Sequence, residues 1–179
     1  MNKVFKYDYY RNTEGKEYKW YKYFRMSYQC KLLYWLRRVQ KKPSLYNRYK
    51  YNKIKSKHGN EIPRQVKVGE GLYLGHMGPR YINADVVMGK NCNINQNVTI
   101  GQENRGKRKG VPIIGDMVWI GANAVIVGKI TIGNNVLIAS GAFVNFNVPD
   151  NSIVIGNPGK IIAKDDSTSG YINFVKNSV

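Results

Sequence analysis

The chain has 179 residues, 29 Lys and Arg against 11 Asp and Glu, and a formal net charge of +18. No run approaches the ~20 apolar residues of a membrane span, and the opening MNKVFKYDYY lacks the apolar core of a signal peptide, so a cytoplasmic protein is expected. Two cysteines far apart, Cys30 and Cys92, offer neither a disulfide framework nor a CxxC metal site.

The first expected unit covers residues 1–58 and is basic and aromatic. Residues 1–60 hold 17 Lys and Arg against 3 acids, and 15 of the 22 aromatics. A helix is expected from about Trp20 to Val39, ending before Pro43. Tyr28, Leu32, Trp35, Leu36 and Val39 would share its apolar face. That face suits a cap over the open end of a repeat structure, which such structures require. The surplus Lys/Arg among Trp and Tyr is the composition of a segment lying on an anionic bilayer, so peripheral membrane contact is an expected partner. Nucleic acid is not expected, since no nucleic-acid module accompanies the charge.

Residues 59–163 carry a hexad ladder. Val68, Leu74, Ile82, Met88, Ile94 and Ile100, then Ile114, Ile120, Ile126, Ile132, Ile138 and Val144, lead successive runs. Small or β-branched residues follow four positions later at Val86, Cys92, Val98, Val118, Ala124, Val136, Ala142 and Val148. A period of six fits neither a helix nor a hairpin-linked strand. It fits short strands joined by corners, three to a coil, with the aliphatic residue stacked inward on its counterparts. Gly89, Gly121, Gly133, Asn91, Asn134 and Asn135 suit corners at positive φ. The expected fold is mainly β, a parallel β-helix with a helical N-terminal segment. Residues 164–179 leave the repeat as a tail that is either flexible or packed on a neighbour.

The ladder breaks twice. Leu74 to Ile82 is eight residues instead of six, with GHMGPR in the surplus; Ile100 to Ile114 reads as fourteen instead of twelve, with Arg105, Lys107, Arg108 and Lys109 looping out. Insertions in solenoids become surface loops, where functional residues concentrate. The chain has only two histidines, His58 and His76, too few for a three-histidine zinc site, so no metal is expected. His76 stands in the first break between Gly75 and Gly78. An imidazole, titrating near ~6.5, can take a hydroxyl proton at neutral pH. His58, in KSKHGN, reads as an ordinary surface residue.

The runs EIPRQVKVGEGLYLGH, NINQNVTIG, GVPIIGDMVWIGANAVIVGKITIG and VPDNSIVIGNPGKII resemble hexapeptide-repeat acyltransferases of the serine acetyltransferase type. The resemblance implies a left-handed helix, a homotrimer and direct attack of an acceptor hydroxyl on acetyl-CoA. It places the catalytic base at His76 and the carboxylate that orients it at Glu61, fifteen residues earlier. It implies that Ala122, Ser140 and Gly141 line the pantetheine groove and that Lys160 meets the nucleotide phosphates. The family's charged amino-acid clamp would fall at Gly75, Gly110 and Val111, where this chain has no charge.

Loss of that clamp argues against L-serine as acceptor. What is left is similar to the O-acetyltransferases of capsule and exopolysaccharide synthesis. The expected activity is therefore acetylation of a sugar hydroxyl in surface polysaccharide, on a saccharide or lipid-linked saccharide, with Asn95 and Gln96 binding the sugar. The alternatives are a small acceptor (serine, an amino sugar or a xenobiotic) or a solenoid that binds without catalysing.

Overall fold

In the computed structural model, residues 3–176 are described. Three short faces of parallel strand wind into a prism. The first face holds β1 (Lys67–Val68), β4 (Val87–Met88), β7 (Ile113–Ile114) and β10 (Thr131–Ile132). The second holds β2 (Tyr73–Leu74), β5 (Asn93–Ile94), β8 (Val118–Ile120), β11 (Val136–Ile138), β13 (Ser152–Ile155) and β14 (Lys160–Ala163). The third holds β3 (Arg80–Ile82), β6 (Val98–Gly101), β9 (Val125–Val127) and β12 (Phe143–Val144). All pairs are parallel except β13 with β14, which closes the far end as a hairpin.

The register gives each face its own apolar column. Leu74, Ile94, Ile120, Ile138 and Val154 stack on the second face. Ile82, Ile100, Ile126 and Val144 stack on the third. The small residues four positions on fill the corners between columns, and Val86, Cys92, Val98, Val118, Ala124, Val136 and Ala142 have no exposed surface. Each fully buried aliphatic contributes roughly 1.5–3 kcal/mol, and a misplaced one would also break coil-to-coil hydrogen bonds on both sides.

The corners divide the work between two residue types. Asn91 and Asn135 turn at φ 57° and 51°, as expected of left-handed positions. Gly121 and Gly133 do not. A Cβ at Gly121 would lie 2.5 Å from the Ser140 nitrogen and one at Gly133 2.5 Å from the Asp150 nitrogen, so glycine is needed there because adjacent coils touch. The sequence-based reason is thus corrected from torsion to contact for Gly121, Gly133 and also Gly89, and Asn134 does not turn at positive φ either.

The ladder's second break is also larger than its spacing implied. Ile120 and Ile138 are paired one regular eighteen-residue coil apart, whereas Ile94 pairs with Ile120 and Met88 with Ile114. Ile114 therefore takes the face directly after Ile100. Eight residues, not two, loop out at that edge, and none of them occupies a face. The first break is two residues, as Leu74 pairing with Ile94 requires.

Helices α1 (Lys3–Asn12), α2 (Tyr28–Lys41) and α3 (Leu45–Ser56) close the near end, with a 3-10 turn of helix over Trp20–Arg25. The single helix expected from Trp20 to Val39 is two elements. Met26 is extended, and Ser27 starts α2 by accepting from the Cys30 N–H, which ends the earlier segment. Leu32, Leu33, Leu36 and Val39 join Ile62, Val66 and Leu72 of the first coil in one core. Gln40 donates to the carbonyls of Arg64 and Val66, and Tyr51 to that of Ile62, completing the coil's open edge.

A buried polar clamp fixes α1 against the prism. Asp8 pairs with Arg37 at 2.7 Å and accepts the Leu72 N–H, while Arg37 also donates to the carbonyls of Val68 and Gly69. Burial raises the Asp8 carboxyl, against the pull of Arg37. The tail after Lys164 packs along the second face of its own chain. Thr168 bonds to Asn135 at 2.6 Å, Tyr171 meets Trp119 and accepts from Asn93, and Asn173 accepts from Arg11. Among the described residues no helix is long and apolar enough to cross a membrane.

Cys30 and Cys92 are both fully buried. Burial pushes the Cys92 thiol up to about 12 and raises that of Cys30. A thiol reagent at neutral pH should therefore find almost no reactive cysteine in the native chain and two per chain in denaturant. Prompt reaction of either thiol in buffer would show that the coil at Cys92 or the α2 contact opens readily.

Candidate active site

The first insertion leaves the prism between β2 and β3. The loop Gly75–Arg80 lies flat across the next coil, since a Cβ at Gly75 would sit 2.2 Å from Asn95 Oδ1 and one at Gly78 2.9 Å from Gln96 Cβ. This explains the missing charge at Gly75: an acidic side chain there has no room beside Asn95. His76, one residue later, is exposed at the apex.

Arg80 holds the loop. It is fully buried, and its guanidinium donates to the carbonyls of Gly75 (2.9 Å), His76 (2.7 Å), Gly78 (3.0 Å) and Ile94 (3.1 Å). Among the described residues no carboxylate pairs with it; burial pushes its pKa down to about 10, and four carbonyl dipoles stand in for a counter-ion. Its own carbonyl accepts the Glu61 N–H at 2.7 Å, and Ile82 donates to the Glu61 carbonyl. One residue thus holds both the backbone at Glu61 and the loop that carries His76. Gln29, in the first turn of α2, adds a further donor to Gly75 at 3.2 Å.

The expected Glu61–His76 hydrogen bond is not formed. Both side chains are exposed, and Glu61 opens on a cleft of about 500 Å³ with Tyr51, Lys55, Asn60 and Arg64. Asn95 is committed elsewhere: its amide donates to the Ile120 carbonyl at 3.0 Å, bracing the coil. Gln96, beside Gly78, keeps a buried side-chain oxygen without a partner.

Other expected residues do share one edge. The Gly75–Pro79 loop, then Asn95–Asn97, Gly121–Asn123 and Ala139–Gly141, are successive corners between the second and third faces. They are joined by Asn97 N–H to Pro79 O, Asn123 N–H to Gln96 O and Gly141 N–H to Ala122 O. His76, Gln96, Ala122 and Ser140 therefore form one row along the prism. Lys160 lies beyond its far end on the closing hairpin, opposite Ile155. At about 4.8 Å per coil, the three steps from His76 to Ser140 span about 14 Å, and Lys160 on β14 lies two strands further on.

The second insertion lies on a different edge, between the third and first faces. Glu103 bridges Gly110, Arg108 pairs with Glu103 at 3.1 Å, and the loop rests on Gly128 and Lys129. Gly110 and Val111 consequently do not adjoin Gly75 within one chain. Arg105, Lys107 and Lys109 are exposed and form no ion pair among the described residues, so this loop keeps its positive charge.

Sequence reasoning named His76 but overlooked Arg80. The available signal was a cation two residues before Ile82, hence on the inward side of a strand, where a charge needs a buried reason. Arg80→Met removes all four guanidinium hydrogen bonds that hold the loop to the prism. It should lower the unfolding free energy by roughly 2–4 kcal/mol, read by denaturant titration, and speed amide exchange first in residues 75–80. Arg80→Lys should lose less. A methionine variant as stable and as protected as the parent would show that the loop holds itself.

Comparison with known proteins places this geometry. Residues 112–145 match the family described as bacterial transferase hexapeptide (six repeats). The chain is 35% identical over 104 residues to a serine acetyltransferase of Synechococcus elongatus, covering 58% of this chain and 43% of that one. It is 37% identical over 107 residues to a serine acetyltransferase of Staphylococcus aureus, covering 60% and 50%. It spans about half the length of these curated relatives. The crystal structure of Neisseria gonorrhoeae serine acetyltransferase superposes with a TM-score of 0.71 at 30% identity, over 90% of this chain and 64% of that one.

These relatives overturn the polysaccharide expectation. They are named for acetylation of serine, a small acceptor, and none of those just given is named for a saccharide. The fold is the left-handed parallel β-helix of that group. By its repeat, its fold and these relatives, the chain resembles the hexapeptide-repeat acyltransferases and is serine acetyltransferase-like.

Proposed function

We propose that the chain transfers the acetyl group of acetyl-CoA to the hydroxyl of a small acceptor, with L-serine the first acceptor to test. The observation that carries this reading is the single edge on which His76, Gln96, Ala122 and Ser140 follow one another, with Lys160 beyond. An extended donor lying in that row would put its thioester at the His76 end and its phosphates toward Lys160.

His76 takes the proton of the acceptor hydroxyl on a ring nitrogen. The oxygen bonds to the thioester carbonyl carbon, the tetrahedral intermediate collapses with loss of the C–S bond, and the imidazolium returns its proton to the CoA thiolate. Glu61 serves as the carboxylate that orients the ring, a contact of the kind that tightens only when substrate is bound. Gln96 Oε1 is the free buried acceptor nearest the loop and suits the acceptor's hydroxyl or ammonium group.

Serine also needs a cation for its carboxylate. The vacant clamp positions argued against it in the sequence, but Arg105, Lys107 and Lys109 stand on the second insertion. Because that loop occupies a different edge, it reaches an acceptor at His76 only from a neighbouring copy. This supports a homotrimer in which each site is shared.

The test is release of CoA thiol from acetyl-CoA with L-serine and other small hydroxyl compounds. Turnover with serine is expected, falling by on the order of 10²–10⁴-fold in His76→Ala and by less in Glu61→Gln. Equal rates in parent and His76→Ala would remove His76 as the base. No thiol release with any small acceptor would leave the solenoid as a binding module.

A further inference from the structure

The N-terminal segment displays apolar surface that no other described residue covers. The 3-10 helix Trp20–Arg25 has no buried residue, with Trp20 79% and Phe24 80% exposed. At the start of α3, Leu45 is 83% exposed, and Tyr46 and Tyr49 are exposed beside it. Single exposed apolar residues are ordinary, but a group of large ones marks a binding surface.

The two groups belong to one surface. Phe24 packs on Tyr23 with ring centroids 5.7 Å apart. The Tyr23 hydroxyl accepts from Trp35 Nε1 at 2.9 Å, and Trp35 meets Tyr46 at 5.9 Å. Trp35 itself is buried and acts as the floor. The cations are layered on the aromatics: Arg38 lies 5.7 Å over the Trp35 ring and Lys50 5.5 Å over Tyr46.

The spacing within Trp20–Arg25 sorts these groups further. Residues three apart eclipse in a 3-10 helix, so Trp20 aligns with Tyr23, Tyr21 with Phe24, and Lys22 with Arg25. Two sides are aromatic and one is cationic. From Tyr18 to Asn60 the chain has 13 Lys and Arg and no Asp or Glu.

We infer that this surface, Trp20, Tyr21, Phe24, Leu45, Tyr46 and Tyr49 with their flanking cations, docks the protein on an anionic lipid bilayer. A second copy is disfavoured as the occupant, because two such faces bring only positive charge together. Bulky aromatics more than half exposed exceed what a purely ionic partner needs, while an anionic membrane interface takes both the rings and the Lys/Arg. The inference does not depend on the acetyl-transfer reading, since binding is measured without turnover.

The experiment is co-sedimentation of the full chain with phosphatidylcholine vesicles, with and without about one-third phosphatidylglycerol, and Trp emission recorded alongside. Binding is expected only to the anionic vesicles, with a blue shift that Trp20→Phe abolishes while binding persists. Trp20→Ser with Phe24→Ser removes no buried residue and should weaken binding on the order of tenfold or more. Replacing Lys19, Lys22 and Arg25 by Gln should weaken it similarly. Absence of binding to anionic vesicles would overturn the inference. Binding that depends on the cations but not on Trp20 and Phe24 would overturn it too, assigning the face to a soluble polyanion. Self-association abolished by the double serine variant would assign it to a second copy instead.

Discussion

Everything in this molecule depends on coil-to-coil stacking. Leu74, Ile94, Ile120 and Ile138 keep one column, and every other column on the prism has to keep step with it. Residues in excess of a coil cannot be absorbed on a face without displacing an aliphatic side chain and two sets of hydrogen bonds. They are expelled at the edges, two at the His76 loop and eight at the 102–110 loop. The prism thus decides where irregular backbone can exist, and irregular backbone is where reactive side chains are free to stand.

A two-residue surplus is short, and a loop so short has few hydrogen bonds of its own. Arg80 provides them from inside the prism, at the cost of burying a cation without a carboxylate. Four carbonyls offset that cost only if all four are present. The arrangement is consequently stiff: the His76 carbonyl, the neighbouring coil at Ile94 and, through the backbone, Glu61 are set by one side chain. The Glu61 carboxylate and the His76 imidazole stand exposed on backbones that Arg80 joins.

The fold was largely legible because its signal is repetitive: each hexad repeats one physical demand. What repetition cannot report was missed. The size of the second break was misread because the pattern alone does not say whether an unoccupied hexad lies inside a loop. Gly121 and Gly133 were given the wrong reason because contact between coils is a tertiary fact. At the site, the row of small residues was legible, whereas Arg80 and the bracing role of Asn95 depend on what lies across the coil. The acceptor was misjudged for a related reason. Gly75, Gly110 and Val111 were weighed as one vanished clamp, although the first belongs to one edge and the other two to another. On the edge of Gly110 and Val111, positive charge stands a few residues away on Arg105, Lys107 and Lys109.

We propose that the edge between the second and third faces is the donor groove and ends at His76. A crystal structure of the protein with CoA tests it most directly. The account predicts the pantetheine arm along Ala122, Ser140 and Gly141, its sulfur beside His76 and its phosphates toward Lys160. CoA lying along the edge of the 102–110 loop and Lys129, with its sulfur away from His76, would contradict it.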